Sequence, residues 1–191
     1  MFAFVGSLLT AVLLAAAPAT ATSVVQFSFD SLCETSVRIV HVACVSSEPV
    51  EAEDGVRTRT RFRVLEGLKG DAGAEIEIAL PGGKIGDRHV GIAGMPSFRA
   101  GEETVLFLSG PDGTGSPWPV GLGQGCYHVT VDETSGRSVH LRRGSTPIPD
   151  GALFKPIQSG DHRVGLRAFL DKVKETVGTD DAGSDRPEDE K

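Results

Sequence analysis

Val56-Arg57-Thr58-Arg59-Thr60-Arg61-Phe62-Arg63-Val64-Leu65-Glu66 alternates residue by residue between guanidinium and apolar or β-branched side chains. A period of two puts Arg57, Arg59, Arg61 and Arg63 on one face of an extended strand and Val56, Thr58, Thr60, Phe62 and Val64 on the other. The neighbouring segments continue the theme. Residues 37–45 are rich in β-branched side chains and read as a buried strand. Residues 74–80 set Ile76, Ile78 and Leu80 against Glu75 and Glu77. Residues 104–109 read as the most hydrophobic strand, and residues 125–132 and 138–142 as a hairpin about a turn at 133–137. Asp30 reads as the N-cap of one or two helical turns through Glu34. Leu166, Phe169, Leu170, Val173 and Val177 share one face of a C-terminal helix, with Ser159 or Asp161 near its cap. Between these elements, residues 46–55 read as an acidic loop, 81–100 as a long Gly-rich connection and 111–119 as a turn-rich loop. About six short strands, Gly-rich connections and flanking helices predict a mainly β fold, a closed or partly closed barrel.

The chain has 191 residues. Residues 1–21 carry no charged side chain, hold an apolar run at 8–17 and end in Ala19-Thr20-Ala21. That is the form of a secretory signal peptide, with the mature chain starting at Thr22. The run is short of the roughly 20 apolar residues that span a bilayer, so no membrane span is expected after cleavage. The alternative is a leader retained as a tether. Residues 22–177 are long enough for one domain with a real core. The net charge of −7 is concentrated at the C-terminus, where residues 175–191 hold seven acidic and two basic side chains. Residues 178–191 lack apolar periodicity and read as a disordered acidic tail. Three cysteines in an exported chain predict one pair and one leftover thiol. Cys44 lies inside an apolar strand, which favours Cys33–Cys126; Cys44–Cys126 stays open.

The order of short motifs adds a resemblance. Cys33-Glu34-Thr35-Ser36-Val37 runs a cysteine-bearing helix into a strand. Leu68-Lys69-Gly70 closes the arginine strand, and residues 103–110 precede a strand carrying Cys126. In this order the chain resembles the netrin-type OB-fold, the barrel shared by tissue inhibitors of metalloproteinases. It is also similar, over most of residues 30–177, to uncharacterised secreted bacterial proteins. These carry Leu-Lys-Gly, Pro-Gly-Gly, Pro-x-Phe-x-x-Gly-Glu and Gln-Gly in the same sequence. The resemblance implies an OB-like barrel and a binding role. One departure limits it: the inhibitors chelate a protease zinc through an N-terminal cysteine, whereas here no cysteine precedes Cys33. That mechanism is not expected, and a shared fold does not carry an activity with it.

The chemistry legible in the residues is sparse. The Arg57, Arg59, Arg61, Arg63 row could hold phosphate, sulfate or a carboxylated polymer. Equally, Glu75 and Glu77 could neutralise it across the strands. Single-stranded nucleic acid is disfavoured, because stacking platforms are missing at 6% aromatic content. The five histidines are scattered without metal-ligand spacing, and His41 reads as a hydrogen-bonded interior or barrel-lining residue. Gly121, Gly123 and Gly125 read as a bend rather than a dinucleotide loop. Glu102 and Glu103 read as solvated turn carboxylates. No nucleophile elbow appears, so neither an active site nor a cofactor is expected. In the 81–100 connection, Met95 and Phe98 could offer an apolar contact to a partner, or Phe98 could plug the barrel end. The expectation is a secreted or periplasmic, non-enzymatic binding module for a protein or an anionic glycan. Loop-mediated protease inhibition is the alternative, and the sequence carries no signal for oligomeric state.

Overall fold

The computed structural model describes residues 26–113, 115–132, 136–141, 155–156 and 162–183. The expected leader, the Ser159 and Asp161 caps and residues 184–191 lie outside the described residues. The structure is mainly β, with antiparallel pairing and two α-helices. Helix α1 (Phe29–Thr35) opens it, capped by Ser28, whose Oγ accepts from the Ser31 amide at 3.0 Å. Asp30 therefore sits in the first turn rather than at the cap. Strands β1 (Arg38–Ala52) and β2 (Gly55–Lys69) follow as one long hairpin. The expected acidic loop at 46–55 is instead strand. Ser47, Glu48, Pro49 and Val50 pair with Thr60, Arg59, Thr58 and Arg57, so the arginine row templates a partner that has little apolar alternation of its own.

Strand β3 (Glu75–Pro81) pairs with β2. The expected irregular connection contains a small hairpin, β4 (Gly83–Ile85) and β5 (Arg88–Val90). Strand β6 (Glu103–Pro111) then takes the other edge of β1. The far edge of β6 is shared by β7 (Pro117–Pro119) and β8 (Cys126–Asp132), with a 3-10 turn at Leu122–Gly125 between them. Strands β9 (Gly136–Leu141), β10 (Lys155–Pro156) and β11 (His162–Gly165) complete the sheet. Helix α2 (Leu166–Gly183) starts directly after β11. It runs beyond residue 177, so residues 178–183, expected in the disordered tail, are helical.

The sheet order is β10-β11-β9-β8-β6-β1-β2-β3, with β7 alongside β6. Among the described residues no ladder joins the two ends, so the sheet is open and closure into a barrel is not observed. It is nevertheless strongly coiled. Ile76, Ile78 and Leu80 of β3 share one inner cluster with Leu106 and Leu108 of β6 and Cys126 of β8. Strands β3 and β8 are four steps apart in the sheet, about 19 Å if it were flat. Three register shifts along β1, between Ile39/Val40, His41/Val42 and Cys44/Ser46, are bulges of the kind that increase coiling. Between β3 and β7 a single side-chain bond stands where a ladder would close a barrel: the Ala79 amide donates to Ser116 Oγ at 3.0 Å.

The opposite face of the sheet is covered by the helices. Phe29, Leu32 and Cys33 of α1 and Phe169, Leu170 and Val173 of α2 pack on Ile39, Val105, Phe107, Tyr127 and Val139. Phe169 sits 4.8 Å from the Tyr127 ring centroid. Two motifs are explained by close approach. Gly70, at φ +68°, passes so near β1 that a Cβ would stand 2.5 Å from the Val37 carbonyl oxygen. Gly125 crosses under Val120, whose carbonyl oxygen would be 2.5 Å from a Cβ. Among the described residues no helix is long and apolar enough to cross a membrane.

The expected Cys33–Cys126 disulfide is corrected. Cys33 faces the helix-side cluster and Cys126 the inner one, because adjacent strand residues alternate faces and Tyr127 takes the helix side. Cys44 and Cys126 share the inner cluster, but β6 lies between their strands. All three residues are buried thiols. Burial raises the Cys126 pKa, and burial followed by the nearby Glu102 carboxylate raises that of Cys44, so little reactive thiolate forms at neutral pH. Titration of the unfolded, unreduced protein with a thiol reagent should return three thiols per chain. A value of one would restore a disulfide.

Candidate functional site

The alternation read from residues 56–66 is preserved. Phe62 belongs to the inner cluster, and Arg59, Arg61 and Arg63 are exposed on the opposite, outer face. Their surroundings differ along the row. Arg57 is held by Asp54, with Nε donating to Oδ1 at 3.0 Å and Nη1 to the Ala79 carbonyl at 3.3 Å. That hydrogen bond, more than its charge, draws the Asp54 pKa down. Arg59 pairs with Glu77 at 3.3 Å, the cross-strand neutralisation expected from the sequence. Among the described residues Arg61 donates only to the Ser46 hydroxyl, at 3.2 Å. Arg63 forms no ion pair among the described residues, although Glu75 is its ladder neighbour.

Arg63 borders a cleft of about 400 Å³ on the outer face. Ala43 of β1, whose methyl group leaves room that a larger side chain would take, lines the cleft floor in the sheet between its ladder neighbours Arg63 and Glu103. Beside Ala43, His41 is 5% exposed, and its Nε2 meets Glu103 Oε2 at 3.1 Å. A carboxylate only accepts, so Nε2 carries the hydrogen. The other Glu103 oxygen takes Arg137 Nη2 at 3.0 Å. Glu103 is therefore a partly buried strand residue with both oxygens engaged, not a solvated turn carboxylate. At the helical end, Glu66 pairs with Lys174 and lies 3.9 Å from Arg167, which also binds Asp171 at 2.9 Å. Of the four cations here, Arg137, Arg167 and Lys174 each meet a carboxylate, while Arg63 has Glu75 opposite it on β3 and no ion pair among the described residues.

Strand register explains why this grouping escapes sequence reading. His41, Glu103 and Arg137 come from β1, β6 and β9. Ala43 pairs with Glu103, so His41 lies diagonally across from Glu103 on the same face. The spacing of Glu103 two residues before Val105 was the available signal, since it assigns Glu103 to the helix-side face of its strand.

In the 81–100 connection, Phe98 takes the second of its two expected roles, a plug rather than a partner contact. Phe98 is 6% exposed and meets Phe62 edge-on at 5.0 Å, filling the mouth of the inner cluster. Met95 is half-buried and lines a smaller cleft of about 240 Å³ beside it. The exposed apolar side chains there are Val90 and Ile92. Among the described residues no three His, Cys, Asp or Glu side chains converge on a metal-sized site. Phe98→Ala should lower stability by about 3 kcal/mol, seen as an earlier urea midpoint, because it opens a cavity against Phe62. An unchanged midpoint would return Phe98 to the surface. The chain matches no known protein family, no curated protein and no solved structure.

Proposed function

We propose that the protein is a secreted or periplasmic, non-enzymatic binding module of OB-like type, and that its outer sheet face takes an anionic glycan. The observation that carries this reading is the unneutralised end of the arginine row. Arg61 and Arg63 stand side by side on one face with no carboxylate bonded to either among the described residues. Most of the net charge of −7 lies in residues 175–191, so the rest of the chain is near neutral, and two adjacent guanidiniums without a bonded carboxylate give it a local positive field. The coiled sheet, with α1 feeding β1 and α2 packed outside, supports the OB-like reading. No Phe, Tyr or Trp side chain lines the cleft, which favours a glycan over a single-stranded nucleic acid. Burial of Phe98 removes one apolar contact from the loop-based inhibitor reading.

The test is retention of residues 22–191 on immobilised heparin as salt rises. The wild type should be retained at low salt, and Arg61→Ser/Arg63→Ser should elute earlier. Its logarithmic salt slope should be shallower by about two, one for each lost ionic contact. Lys84→Ser, on the β4–β5 hairpin, should elute with the wild type. Passage of the wild type through the resin at low salt would overturn the reading.

A further inference from the structure

We propose that the cleft between β2, β9 and α2 is a discrete subsite for one oxyanion group of the ligand, a sulfate or a carboxylate, held by Arg63 and Arg137. This rests on the binding-module reading and assigns it a pocket. The first element is the pairing of charges around the cleft. Three carboxylates beside it are engaged among the described residues, Glu103 by His41 and Arg137, Glu66 by Lys174 and Asp171 by Arg167. Glu75 stands across the β2–β3 ladder from Arg63 without an ion pair among the described residues. Among the described residues every cation of the cleft except Arg63 has a bonded carboxylate, so the guanidinium without one stands at one wall.

The second element is an oriented donor. A guanidinium has five N–H groups in a rigid fork. Arg137 uses Nη2 on Glu103 and stays 57% exposed, which leaves donors for a ligand. Glu103 is anchored from behind by His41, whose side chain is only 6% exposed. Glu103 and His41 are thus positioning residues: Glu103 restrains Arg137 through one contact, and His41 restrains Glu103. The third element is the medium. Leu166 and Leu170, 8% and 3% exposed, wall the helical end, and apolar walls strengthen an ionic contact relative to one made in open water. Ala43 leaves the volume that the oxyanion occupies. A diffuse basic face would need neither the small floor residue nor the braced arginine.

The experiment is calorimetric titration with two short probes, a heparin tetrasaccharide and a galacturonate tetramer. The first offers sulfate and carboxylate, the second carboxylate alone. Ala43→Leu fills the floor without changing charge, and Arg137→Lys keeps the charge but loses the fork. Each should weaken binding of the recognised probe about tenfold, the scale of one charge-assisted hydrogen bond. Binding of the galacturonate probe assigns carboxylate; binding of the heparin probe alone assigns sulfate. Wild-type affinity in both variants, with folding confirmed by circular dichroism, would overturn the subsite. So would failure of both probes to bind while the heparin resin still retains the wild type, and that result would leave the broader reading standing. Loss of resin retention in the wild type would remove the reading itself.

Discussion

The core of β6 and the first half of β1 bury both of their faces, and the rest of the architecture answers that constraint. In β6, Val105 and Phe107 point to the helices while Leu106 and Leu108 point the other way, all without exposure to solvent. A sheet that is apolar on both sides at its centre needs two covers, since each exposed side chain of this size would forfeit about 1.5–3 kcal/mol. The helices α1 and α2 supply one. The second is the sheet itself, because β2 and β3 curl over β6 and β8. The bulges of β1 make that curl possible, and Phe98 fills the mouth that the curl leaves. Closure stops at the Ser116 hydroxyl, where β7 has turned back along β6 instead of continuing a ladder to β3.

This geometry separates what was legible in the sequence from what was not. The β2 alternation, the apolar run of β6, the face of β3 and the C-terminal helix are local patterns, and each appears where its periodicity placed it. The extension of β1 through Ala52 was not legible, because Glu48, Pro49 and Glu51 carry no strand signal and are ordered by their partners on β2. Barrel closure was over-read for a related reason: strand count does not specify whether the last edges meet. The disulfide failed on parity, a property of register rather than of spacing.

The candidate site divides in the same way. The arginine row was visible as a pattern, but the row alone does not distinguish a solvated strand face from a site. That distinction comes from the ends of the side chains. Arg57 and Arg59 are neutralised by Asp54 and Glu77, whereas Arg63 meets a floor made by Ala43 and a second arginine braced from β6. Glu103 and His41 come from strands 62 residues apart in sequence, and only their adjacency in the sheet turns two scattered titratable residues into a support.

The Leu68-Lys69-Gly70 turn has a meaning for the order in which the chain acquires structure. Lys69 Nζ donates to the Cys33 and Glu34 carbonyls at 2.8 and 3.1 Å, tying off the C-terminal end of α1 from far downstream. A seven-residue helix is too short to persist on its own in water. Until residue 70 has been made and β2 has folded back along β1, α1 lacks its capping ammonium, and the surface it packs on, Val105, Phe107, Tyr127 and Phe169, is made later still. A nascent chain released before that point therefore presents Phe29 and Leu32 to solvent. The clamp makes the first helix in sequence a late arrival in structure.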